Sequence, residues 1–165
     1  MEELETTGRV PALTSAGDDV ARVATGVLEA LLRLTGVTGA VETSSNEIPV
    51  SLNIEGEDLG ILIGRRGRTL SCLQHIVRLI VAGQLKAWLP LNVDVCGYKK
   101  RRCDSLHRLA LRLAEQVRLR QRAITLEPMP ADERRIVHLA LANHPDVVTH
   151  SIGEGEDRKV VILLK

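Results

Sequence analysis

Gly64-Arg65-Arg66-Gly67, with Arg68 directly behind it, is the stretch of this chain best suited to hold an anion. Glycines lack a Cβ, so the backbone can turn sharply and approach a ligand closely. The following residues carry helical periodicity, which brings the unpaired N–H groups of a helix N-terminus to the same place. Arginine adds a planar fork that matches phosphate. A phosphodiester backbone suits such a loop, although a glycine-rich helix–helix turn with solvated arginines would read the same way.

Two further groups could serve the same chemistry. Arg134 and His138 are four apart in a helical pattern and therefore share a face. Arginine offers phosphate a fork, and histidine can stack, donate or gain charge as pH falls. If His138 acts as a cation, affinity should weaken as pH rises from about 6 to 8, around its ordinary pKa. Lys99-Lys100-Arg101-Arg102 opens a long helix, where four cations oppose the macrodipole. Such a run suits phosphates and could continue through Arg108, Arg112, Arg118, Arg120 and Arg122. The alternative, nearly as well supported, is that these side chains reach water or pair with the acidic first part of the chain.

Other chemistry is poorly served. Cys103 and His107 are four apart, but no second pair completes a zinc site. His138, His144 and His150 lack the HExxH spacing, and neither a phosphate-loop lysine motif nor GxSxG occurs. No enzyme activity, cofactor or metal is expected.

The charge distribution favours the anion reading. Residues 1–60 hold three basic against eleven acidic residues, residues 61–122 fourteen against three, and residues 123–165 five against seven. A net charge of +1 thus hides a basic centre between acidic ends. With one Trp, one Tyr and no Phe, a row of stacking aromatics is excluded. Cys72, Cys96 and Cys103 read as reduced thiols rather than a disulfide framework. No apolar run is long enough to span a membrane, and the acidic N-terminus lacks a signal-peptide core. A cytoplasmic protein is expected.

The elements that would position these groups follow from periodicity. Residues 1–17 read as a disordered acidic tail, with Asp18 or Asp19 capping a helix that buries Val20, Val23, Ala24, Val27, Leu28, Leu31 and Leu32. Strands are expected at Ala40–Thr43 and Ile48–Ile54, and a helical turn or two over Glu57–Ile63. A helix then runs from Arg66 to near Gly83, with Leu70, Leu73, Ile76, Val77 and Ile80 on one face. Leu91–Val95 alternates as a strand. A long helix covers about Tyr98–Arg120, with Leu106, Leu109, Ala110, Leu113 and Val117 inward. A short strand at Thr125–Leu126, a helix over Ala131–Asn143 and a hairpin of Val147–Ile152 with Arg158–Leu164 complete the chain. The fold class is α+β: α-β-β-α-α-β followed by α-β-α-β-β.

The first half, with GRRG between two helices, resembles a type II KH domain. The second, with Arg134 and His138 in Glu133-Arg134-Arg135-Ile136-Val137-His138, resembles the Arg-x-x-x-His (R-three-H) domain. The succession of the two is similar to the tandem module of the bacterial Jag family, over about residues 18–165. The resemblance implies a KH domain at 18–98 and an R-three-H domain at 99–165 that includes the basic helix. It further implies that the GxxG loop clamps the backbone of about four nucleotides of single-stranded RNA. Gly64 and Gly67 would form the close approach, with Arg65, Arg66 and Arg68 beside the phosphates. Ile61, Ile63 and Leu70 would lie in or beneath the adjoining groove, and Arg134 and His138 would form a second contact. On this view, replacing Gly64 or Gly67 by Asp abolishes binding and leaves the fold intact. The implied role is post-transcriptional regulation linked to cell elongation, division or sporulation, with a KH-only protein (KhpA) or a second copy as partner. The alternative is a protein-interaction module, dimerising with such a partner or binding the ribosome. Longer family members carry a separate small N-terminal Jag domain, in place of which only a short acidic tail is expected here.

Overall fold

Parallel pairing of two strands organises the first part of the chain. The computed structural model describes residues 11–165 and divides into two units, one ending at Lys99 and the other running from Lys100 to Lys165. The first unit contains α1 (Pro11–Thr35), β1 (Ala40–Ser45), β2 (Val50–Glu55), α2 (Gly60–Ile63), α3 (Arg68–Leu85) and β3 (Leu91–Val95). Its sheet has the order β1-β2-β3; β1 and β2 are antiparallel, β2 and β3 parallel. A parallel pair needs a crossover rather than a hairpin, and α2, the GRRG loop and α3 provide it. The loop is therefore held at both ends by elements docked on the sheet.

Alternation sets the core. Val50, Leu52 and Ile54 of β2 and Leu91, Val93 and Val95 of β3 are buried. They meet Val20, Ala24, Val27, Leu28 and Leu32 of α1 and Leu70, Val77 and Val81 of α3. The expected face of α3 is shifted at one position: Ile76 is 45% exposed, and Val81 is buried instead.

The first helix is already formed at Pro11, the first described residue, ahead of the expected start at Asp18 or Asp19. Residues 11–17 of the expected tail are thus helical, while the remainder of that tail, residues 1–10, lies outside the described residues. Neither aspartate is a cap. The Asp18 carboxylate accepts from Asn46 Nδ2 at 2.8 Å, and Asp19 pairs with Arg22 at 2.8 Å. Gly17 is buried where a Cβ would stand 2.0 Å from the Asn46 carbonyl oxygen, so a side chain there would push the helix off the β1–β2 turn.

The second unit contains most of α4 (Tyr98–Arg120), β4 (Ile124–Thr125), α5 (Ala131–Leu141), β5 (Val147–Ile152) and β6 (Lys159–Leu164). Its antiparallel sheet has the order β4-β6-β5. Ala110, Ala114 and Val117 of α4, Val137 and Leu141 of α5 and Val147, Val160 and Ile162 of the sheet form a second core, joined by Leu126 and Met129. Element order and class are α+β throughout. Boundaries differ from expectation by a few residues where local pattern is weakest: α2 is one turn, α3 extends to Leu85, and α5 stops at Leu141.

Candidate nucleic-acid interface

The GRRG loop is set by positive φ at three of its four residues. Gly64 has φ +67°, Arg66 φ +58° and Gly67 φ +75°, and residues 65–67 form a single 3₁₀ turn entering α3. A Cβ on Gly64 would stand 1.9 Å from Thr69 Oγ1, and one on Gly67 would stand 2.8 Å from Tyr98 Cε1. Gly67 is buried, Arg65 and Arg68 are exposed, and Arg66 is half-buried. Both glycines are therefore structural as well as permissive. This corrects the expectation that Asp at either position would leave the fold intact, because the new side chain would meet Thr69 or Tyr98. Of the apolar candidates, Leu70 lies in the core, Ile63 is half-buried and Ile61 is 69% exposed beside the loop.

The crease between α3 and the free edge of β3 adjoins the loop. Side chains close that edge. Arg78 Nε donates to the Leu91 carbonyl at 2.7 Å, and Gln74 Oε1 accepts from the Val93 N–H at 3.0 Å. Gln74 Oε1 also accepts from Lys99 Nζ at 2.7 Å. Asp94 Oδ1 accepts from the N–H groups of Val95 and Lys99, at 2.8 and 3.2 Å. The last contact caps the start of α4, so a carboxylate placed just before the helix offsets the basic run that opens it. Pattern reading missed Gln74, Arg78 and Asp94. Their signal was slight: a carboxylate four residues ahead of a cation-rich helix start, and two polar residues on the α3 face beside the apolar stripe.

In the second unit Arg134 and His138 both lie half-buried on α5. Arg134 Nε donates to the Met129 carbonyl at 3.2 Å, anchoring the stem of the guanidinium. His138 is held on both ring nitrogens, Nδ1 by Thr149 Oγ1 at 2.6 Å and Nε2 by Ser151 Oγ at 2.8 Å. Hydroxyls can donate to one ring nitrogen and accept from the other, which suits a neutral imidazole. Burial, then the nearby basic groups, Arg134 foremost, hold its pKa below the ordinary value. The lowered pKa and the two hydroxyl partners favour a neutral, positioned ring over the conditional cationic role between about pH 6 and 8. Arg158, which the sequence reading did not place at this site, adds to the positive potential around it.

The basic run divides by role. Lys99, Lys100 and Arg101 are exposed. Arg102 instead directs Nε and Nη2 onto the two carboxylate oxygens of Glu133, at 2.7 and 2.8 Å, and the Glu133 side chain is only 8% exposed. Such a two-pronged pair ties α4 to α5, so Arg102 is a structural cation rather than a phosphate contact. Farther along, Arg118 pairs with Glu115, while Arg108, Arg112, Arg120 and Arg122 are exposed. Among the described residues no group of three metal-ligating side chains occurs, and no helix is long and apolar enough to cross a membrane.

Comparison with known proteins identifies the two domains. Residues 21–89 match the KhpA/KhpB KH domain, and residues 104–164 match the R-three-H domain. The chain is 42% identical over 126 residues to RNA-binding protein KhpB of Clostridium symbiosum, covering 76% of this chain and 57% of that protein. It is 38% identical over 125 residues to RNA-binding protein KhpB of Bacillus subtilis, covering 74% and 60%. With RNA-binding protein KhpB of Lactiplantibacillus plantarum the identity is 30% over 160 residues, covering 97% and 50%. The matched region thus spans about half to three-fifths of these relatives' lengths. With both domains present in the same order, the chain belongs to the KhpB (Jag) family.

Proposed function

We propose that the chain binds single-stranded RNA and acts in the cytoplasm in post-transcriptional regulation linked to cell elongation, division or sporulation, as a binder rather than an enzyme. The GRRG loop carries this reading. Its backbone is fixed in a left-handed turn at the start of a helix, with three arginines around it. That is a preformed anion site of the kind a sugar-phosphate backbone fills. Arg134, with its stem anchored beside a neutral His138, supports a second contact in the other unit. Lys99, Lys100 and Arg101 add positive charge for the same ligand.

The test is a charge reversal that spares the glycines. Aspartate is tolerated in the left-handed region better than most residues, so Arg65→Asp with Arg66→Asp leaves the turn accessible. Two lost charge-assisted hydrogen bonds of about 1.5–3 kcal/mol each predict at least a hundredfold weaker binding to oligo(U). Undiminished affinity in a folded double variant refutes the role.

A second reading rests on a different face. Ile76 and Leu79 of α3 are 45% and 50% exposed, three residues apart. They would suit pairing with a KH-only partner (KhpA) or with a second copy. Sedimentation of the wild type and of Leu79→Asp, each alone and mixed with KhpA, decides it; identical behaviour of the two chains rejects the interface.

A further inference from the structure

The orientation of one amide carries an inference about which bases the α3–β3 crease accepts. Gln74 Oε1 is surrounded by two obligatory donors, the Val93 N–H and the Lys99 ammonium. Only the oxygen can occupy that position, so the amide cannot flip. Its Nε2 therefore faces away from the strand with two N–H groups that meet no acceptor among the described residues and are not sealed from solvent. Arg78 is oriented similarly. Its Nε is spent on the Leu91 carbonyl, and its Nη groups meet no partner among the described residues.

The two side chains are one helical turn apart. Gln74 stands about 10 Å along α3 from Gly67, and Arg78 about 6 Å farther. A strand clamped at the GRRG loop and running along α3 would thus pass Gln74 and then Arg78.

We infer that Gln74 and Arg78 select bases that present carbonyl oxygens, uracil and guanine, over adenine. This rests on the RNA-binding reading above. A wall of fixed donors rewards a base edge rich in acceptors, such as guanine O6/N7 or the O4 of a uracil ring. Adenine has no carbonyl oxygen, and its N1 and N7 each lie beside the N6 amino group, so a pair of donors aimed at either edge meets one acceptor and one donor instead of two acceptors. Because the β3 edge is already closed by these side chains, the base meets Gln74 and Arg78 rather than the strand itself.

The substitution Gln74→Glu isolates the effect. Glutamate keeps an acceptor for the Val93 N–H and for Lys99, but replaces the two outward donors by an acceptor. Binding of the full chain to oligo(U) and oligo(A) of equal length is measured by fluorescence anisotropy. The wild type should bind oligo(U) about tenfold more tightly than oligo(A), the discrimination expected of a modest paired contact. In Gln74→Glu the ratio should fall to about one or invert, whatever the common loss from the added negative charge. Base stacking within free oligo(A) is the same for both proteins and drops out of the comparison. Gln74→Met, which removes the donors without adding charge, should also lower the ratio; thermal melts establish that each variant is folded. A wild-type ratio of one, or a ratio unchanged in both variants, overturns the inference while leaving RNA binding intact. Failure of the wild type to bind either oligomer removes the RNA-binding reading, and this inference with it.

Discussion

Gly67 is the position where a small change should have the largest structural effect. Replacing it by Ala adds a single methyl to a buried site with φ +75°, where the new carbon would stand 2.8 Å from Tyr98 Cε1. Left-handed backbone costs a residue with a Cβ about 1–2 kcal/mol. Overpacking a filled site costs about 1–3 kcal/mol more. The sum, about 2–5 kcal/mol, is a large share of the roughly 5–15 kcal/mol that holds a domain together. With a urea dependence of about 2 kcal/mol per molar, the midpoint should fall by about 1–2.5 M. The assay can be confined to the first unit, because Trp88, the only tryptophan of the chain, lies in it. Tyr98→Ala provides the control. In that background the steric part disappears, and Gly67→Ala should cost only the conformational 1–2 kcal/mol or so. Equal costs in the two backgrounds would refute the account of Gly67 as a residue held beneath Tyr98. Gly67→Asp carries the same penalty at its upper end, so lost RNA binding in that variant alone would not distinguish a damaged site from a damaged fold.

The second unit offers its own tests. Glu133→Ala removes the two-pronged carboxylate partner of the half-buried Arg102 guanidinium and should lower stability by about 2–4 kcal/mol in a chemical melt, whereas Arg102→Met with Glu133→Leu should recover most of it; equal losses in both would show that the ion pair is not the cause. His138 resists protonation when folded but not when unfolded, so the unit's stability should be constant above about pH 6.5 and decline as pH falls below it. An NMR titration of His138 with a midpoint at or above 6.5 would contradict this, and RNA affinity should be flat between pH 7 and 8. Arg134→Ala should weaken oligo(U) binding about tenfold and reduce the salt slope by about 0.7, the value for one phosphate of a single strand; an unchanged slope means that Arg134 touches no phosphate.

Much of the architecture was legible in periodicity because the buried strands alternate cleanly. Val50, Leu52 and Ile54, and Leu91, Val93 and Val95, announce their faces in the sequence, and the structure buries all six. Helix faces were less certain. Ile76 is as apolar as Val77, and which of the two turns inward depends on how the helix meets the sheet, a tertiary matter. The start of α1 escaped because Gly17 and a polar N-terminal turn look like loop, whereas Gly17 is there for the close approach of Asn46. The GRRG loop itself was readable from two glycines and their arginines. What fixes it was not: Tyr98 and Thr69 become neighbours only through the fold. For the same reason Arg102 looked like its three basic neighbours. Charge patterning cannot tell a cation that meets phosphate from one that meets a glutamate 31 residues later.

The contact of Tyr98 with Gly67 has a consequence for the order in which the site comes into being. Tyr98 and Lys99 are the final residues of the first unit, following β3, and they buttress Gly67 and hold Gln74 respectively. The motif is synthesised some thirty residues before the side chains that shape it. A nascent chain would display the GRRG sequence while its backbone was still free to sample other turns. Binding competence would arrive only when β3 had docked beside β2 and the first turn of α4 had closed. A fragment ending just short of Tyr98 would keep the recognisable motif and nearly the whole core, yet lack the two residues that give the loop and its neighbouring amide their working shape.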